Sequence, residues 1–186
     1  MYTVVYDACV LYPAPLRDFL LELATRNLFR AVWTDRIHDE WTRNLLKDRP
    51  DIDPAKLART RQLMDSHTID SVVHNYEALV ASLDLPDKDD RHVLAAAIHA
   101  HASAIVTFNL RDFPSAYLDP YDIEAIHPDE FIVNQYHLSS IQVADAATTC
   151  RLRLKKPPKT RDEYLETMQL QGLPQTVALI SENMGI

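Results

Sequence analysis

The chain is expected to fold as an α/β domain with a mainly parallel central sheet flanked by helices, extended by a helical appendage at its C-terminus. Three observations carry this expectation. Short β-branched or aromatic runs alternate with longer segments of helical period, the order of a parallel sheet with crossover helices. With 47% hydrophobic and 25% charged residues, 186 residues supply a sizeable core and a soluble surface. From Leu138 onward the strand-like runs stop and only helical segments remain.

Residues 2–6 (YTVVY) read as a buried strand that ends on Asp7. The next helix places Leu16, Phe19, Leu20, Leu23 and Ala24 on one side. Residues 29–33 form a second short strand. Thr34 or Asp35 caps the helix that follows, whose apolar stripe is Ile37, Trp41, Leu45 and Leu46. Glu40 sits beside that stripe, with Arg43, Asn44 and Lys47 at helical spacing as surface ion-pair neighbours. Pro50 breaks the chain, and Asp53-Pro54 starts a helix through Leu57 and Met64 with Arg59 and Arg61 on its polar side. Residues 68–73 read as a strand or edge segment, and residues 75–83 as a helix. A helix carrying Val93, Leu94, Ala97 and Ile98 leads to a strand at residues 104–106. Residues 122–126 are the last strand candidate, and His127-Pro128 opens a short helix. The boundary of the domain falls at 137/138. The appendage, 138–186, has a helix over residues 138–154 and two more split by Gly172 and Pro174. Its elbow, RLRLKKPPKTR, carries six basic residues and reads either as a solvated loop or as a contact for RNA phosphates or an acidic partner.

Composition excludes several functions. Two glycines leave no Gly-rich phosphate loop, which argues against Walker-type and Rossmann nucleotide sites. Cys9 and Cys150 form neither a close-spaced metal pair nor a disulfide framework, so a cytoplasmic location is expected. No signal peptide or membrane-spanning run is recognisable. A net charge of −8 argues against a basic nucleic-acid sleeve, but not against a nuclease whose metal ions neutralise its site locally.

Residues 84–114, DLPDKDDRHVLAAAIHAHASAIVTFNLRDFP, concentrate the chemistry. Asp84, Asp87, Asp89 and Asp90 crowd the start of a helix, and Thr107, Asn109 and Asp112 follow the end of a strand. The carboxyl ends of parallel strands are where ligands bind in open α/β sheets. Capping and dipole effects account for acids at a helix start. A cluster is more than a cap needs, and a divalent cation is the usual compensation for crowded carboxylates. His92, His99 and His101 have no second ligand pair at matching spacing, which argues against zinc.

VVYDACVLYP, WTDRIHDEW, LPDKDDRHVLAAAI and IVTFNLRDFP together resemble the PIN domain over roughly residues 2–137. The resemblance implies a three-layer PIN-like fold with an acidic pocket at the strands' carboxyl ends. It implies Mg²⁺- or Mn²⁺-dependent hydrolysis of RNA, and the toxin role of a toxin–antitoxin pair. By motif, the four acids fall on Asp7, Glu40, Asp90 and Asp112, with Asn109 and Thr107 as supporting groups. Cys9 departs from the Asn of many relatives. Implied partners are RNA, an antitoxin protein and a second copy of the chain, without a membrane. The chemistry agrees with the acids: carboxylate-held Mg²⁺ or Mn²⁺ activates a water and neutralises the leaving oxygen. A scaffold without catalysis and a DNA nuclease are the alternative readings.

Overall fold

The computed structural model describes residues 1–184; the last two residues of the expected appendage lie outside them. In chain order the elements are β1 (Thr3–Tyr6), α1 (Ala8–Leu11), α2 (Ala14–Ala24), β2 (Arg30–Val32), α3 (Asp35–Asp48), α4 (Pro54–His67) and α5 (Glu77–Val80). Then follow α6 (Arg91–His99), β3 (Ala104–Val106), α7 (Ser115–Leu118), β4 (Glu124–Ile126), α8 (Pro128–Leu138), α9 (Ser140–Arg153), α10 (Arg161–Leu170) and α11 (Pro174–Ile180). Among the described residues no helix is long and apolar enough to cross a membrane.

The chain divides into two compact units. The first holds residues 1–12 and 29–126, and the second holds residues 13–28 and 127–186. These points differ from the 137/138 boundary drawn from the sequence. The α2 segment and all of α8 go with the C-terminal helices, because α2 packs on α9 and α10 and α8 packs on α9 and α11.

The first unit is built on a four-stranded sheet of order β2-β1-β3-β4, parallel throughout, as the α/β expectation requires. Val4, Val5, Ala31, Val32, Ala104, Ile105 and Val106 are fully buried. Strands buried on both faces read as continuous apolar runs, and that is why such short segments were recognisable. The α6 helix lies against β1 and β3 through its Val93, Leu94 and alanine face. Tyr6 joins the cluster by stacking on Trp33 at 6.4 Å between ring centroids and meeting Phe29 edge-on.

Two expected elements shrink. Residues 68–73 contribute a single bridge, Trp33 with Val72, rather than a strand. Asp70 and Asn75 adopt positive φ on either side and interrupt the extended run. The helix expected over 75–83 reduces to α5, because Leu83 and Leu85 turn inward and are buried ahead of Pro86.

In the second unit, Asp129 in the first turn of α8 is almost fully buried and holds the start of α11. Its carboxylate accepts the backbone N–H groups of Gln175 (3.0 Å) and Thr176 (2.8 Å). Glu22 of α2 pairs with Arg26 at 2.9 Å and with Arg153 of α9 at 2.7 Å. A capping box between Thr160 and Glu163 opens α10.

Candidate active site

Because all four strands run the same way, their carboxyl ends share one edge, and the loops leaving β1 and β3 meet there. The Asp7 N–H donates to Val106 O at 3.1 Å, and Thr107 N–H to Ile126 O at 3.0 Å. Asp7 therefore continues the ladder before capping α1.

The Asp7 carboxylate is held from three sides. Oδ1 accepts Ala8 N–H at 2.7 Å, while Oδ2 accepts the Thr107 hydroxyl at 2.7 Å and the Cys9 thiol at 3.2 Å. Thr107 and Cys9 are anchored in turn. Asn109 N–H donates to Thr107 Oγ1 (3.0 Å), and Phe108 N–H donates to Cys9 Sγ (3.3 Å). The loop after β3 thus grips the acid after β1 directly through Thr107 and indirectly through the Phe108 N–H on its neighbour Cys9. Burial raises the Asp7 pKa above the usual carboxylate value, the three hydrogen bonds lower it, and the Glu40 charge raises it. Burial and the neighbouring Asp7 charge push Cys9 up to about 12, so it is a thiol that donates to the carboxylate rather than a thiolate.

Glu40 reaches the same place from α3. Its Oε1 lies 3.7 Å from Arg36 Nε, one turn earlier, and 2.8 Å from Nε2 of the fully buried His92. The His92 contact is out of line for a hydrogen bond, and neither ring nitrogen makes one. We take it as close packing of a ring on a carboxylate. The ion pair expected with Arg43 or Lys47 does not form; Arg36 takes that place.

Asp90 closes a 3₁₀ turn, Lys88–Asp90, at the start of α6. Capping in this region falls to Asp87, whose carboxylate accepts Asp89 N–H at 2.8 Å, while the Asp90 side chain caps nothing. The Asp90 pKa is raised to about 7, first by burial and then by the charges of Asp7, Asp87, Asp112 and Glu40.

Of the expected residues, Asp7, Glu40, Asp90 and Asn109 line one cleft of about 580 Å³. Thr107 is fully buried beneath Asp7. Asp112, in the turn Leu110–Asp112, is not part of the lining, although its charge reaches Asp90. The lining also includes Ala8, Cys9, Tyr12, Asn44, Lys47 and Asp48. Asn44 and Lys47 stand at helical spacing from Glu40, and the spacing that suggests surface ion-pair neighbours in the sequence brings both to the cleft wall. Nothing in the sequence joined Tyr12 to Asp48, whose carboxylate accepts the Tyr12 hydroxyl at 2.7 Å. Among the described residues no three His, Cys, Asp or Glu side chains are gathered tightly enough to hold an ion directly.

The molecule is thus an α/β protein with a parallel sheet and with buried and half-buried carboxylates at the carboxyl edge of that sheet. A model of the PIN domain matches residues 3–111, and the chain belongs to the PIN-domain family, as the resemblance implied. A second model, described as the VapC50 C-terminal domain, matches residues 128–182. The chain is 49% identical over 63 residues to the "Putative ribonuclease VapC50" of Mycobacterium tuberculosis (strain ATCC 25618 / H37Rv). That match covers 34% of this chain and 37% of the relative's length, so the chain aligns with little more than a third of it. No solved structure matches.

Proposed function

We propose that this protein is a divalent-metal-dependent endoribonuclease, the toxin of a toxin–antitoxin pair, with its chemistry in the first unit and residues 138–186 as a helical extension. The observation that carries this reading is Asp90, a half-buried carboxylate crowded by four other acids whose pKa is raised to about 7. Such crowding costs stability unless a cation relieves it. The ribonuclease name of the VapC50 relative supports RNA as substrate.

The residues fit a hydrated ion. Mg²⁺ is commonly bound by one or two carboxylates with waters completing an octahedron, so a direct three-residue cage is not required. Asp7, Glu40 and Asp90 would hold it, with Asp112 adding charge from outside the lining. Mg²⁺ or Mn²⁺ supplies an activated water and neutralises charge on the reacting phosphate. Thr107 and Cys9 fix the rotamer of Asp7 and occupy its Oδ2, while Oδ1, which accepts only the Ala8 N–H, keeps one lone pair for an ion. Asn109 offers an amide to the sugar or phosphate of the substrate.

The test is cleavage of labelled RNA and DNA by the purified protein with Mg²⁺, with Mn²⁺ and with excess chelator. RNA cleavage that needs metal and stops with chelator is the expected result. Cleavage undiminished by chelator would end the metal mechanism. Preference for DNA would make it a DNA nuclease. Metal-induced thermal stabilisation without cleavage of either would make it a scaffold.

A further inference from the structure

The candidate acids repel a polyanion, and the whole chain carries −8. A nucleic-acid strand lying in this cleft needs a cation there. Helix α3 supplies one. Glu40, Asn44 and Lys47 stand at i, i+4 and i+7, which puts them on one face, and all three line the cleft. At ~1.5 Å rise per residue, Lys47 is about 10 Å along the axis from Glu40.

Lys47 is exposed, and among the described residues it makes no ion pair, although Asp48 is adjacent and lines the same cleft. The Asp48 carboxylate is turned to Tyr12, whose hydroxyl donates to it at 2.7 Å. The ammonium is left for an anion from outside. A lysine in the last turn of a helix also complements the dipole, but that role does not require it to line a cleft.

We infer that Lys47 and Asn44 form a phosphate subsite, which holds a phosphodiester neighbouring the one at the carboxylates. This rests on the ribonuclease reading and extends it to how the strand is laid down. The ammonium contacts phosphate as a point charge, and the amide donates to phosphate or sugar oxygens. Contacts of this kind fix position along the strand and read no base.

Binding of a labelled single-stranded RNA oligonucleotide is measured on the full chain with Mg²⁺ across a salt series, in an Asp90→Asn background to suppress turnover. Lys47→Ala should weaken binding about three- to tenfold and lower the slope of log K against log salt by about 0.7, one phosphate on a single strand. Asn44→Ala should weaken binding and leave the slope in place. Lys47→Arg should keep the slope. Lys56→Ala on α4, outside the cleft, should change neither. In the cleaving background Lys47→Ala should raise KM and leave kcat within about twofold. Melting temperature, unchanged in Lys47→Ala, separates the subsite from a purely structural role. Unaltered affinity and slope in Lys47→Ala, while the unsubstituted chain cleaves RNA, overturns the subsite and leaves the nuclease reading standing. Failure of the unsubstituted chain to cleave RNA with either metal overturns both.

Discussion

Asp90 is a carboxyl that folding places where it resists ionisation. Its folded pKa of about 7 lies above the ordinary carboxylate value of 3.8. The folded state therefore binds the proton more tightly than the unfolded chain does. The contribution of Asp90 to metal-free stability should be fully present below the unfolded pKa and should be lost as pH rises through the window from 3.8 to about 7. In Asp90→Asn that loss should be reduced, and the metal-free protein should be as stable as the parent or more so at pH 8. Urea unfolding at several pH values checks this; a slope unchanged by the substitution would mean that another group carries the strain. Asp90 was legible in the sequence because it stands in a run of acids at a helix start, and Asp7 because it ends a strand. The grip on Asp7 was not, since Thr107, a hundred residues away, becomes its donor only when β1 and β3 pair in register.

At the scale of elements, α3 connects the cleft to the interior. Beside Glu40, its His38 is fully buried, and burial lowers that ring's pKa, which keeps it neutral. Trp41 Nε1 donates to His38 Nδ1 at 3.0 Å, so the ring proton sits on Nε2 and goes to Asp65 Oδ1 of α4 at 3.0 Å. The same oxygen accepts Trp33 Nε1 at 2.8 Å. One carboxylate thus ties β2's exit, α3 and α4 together. Asp65→Ala leaves two buried donors without an acceptor and should cost about 2–4 kcal/mol. Denaturant unfolding measures it, and a loss below about 0.5 kcal/mol would mean that water replaces the carboxylate. The apolar stripe of α3 was plain from Ile37 and Trp41. The polar network was not, because a buried His and a solvent-facing one look alike in a sequence.

Across the whole molecule, the second unit is discontinuous in sequence. The α2 stretch is encoded between two strands of the first unit, yet packs with α9 and α10. Periodicity showed that α2 is amphipathic, but no local pattern names a partner more than a hundred residues away. Ending the chain after Leu138 should therefore uncover the α2 face bearing Leu16, Phe19, Leu20 and Leu23, all fully buried in the intact chain. Each is worth about 1.5–3 kcal/mol of burial. Such a truncated protein should bind an apolar dye and lose its sharp thermal transition; a soluble, cooperatively melting product would refute this. The same arrangement bears on synthesis. The α2 helix is complete at Ala24, and α9 begins at Ser140. At ribosomal speeds of about 5–20 residues per second, the nascent chain carries that greasy helix unpartnered for on the order of ten seconds. During that interval its sticky face is open to other emerging chains and to holding chaperones, so the yield of folded protein should depend on how crowded and how fast translation is.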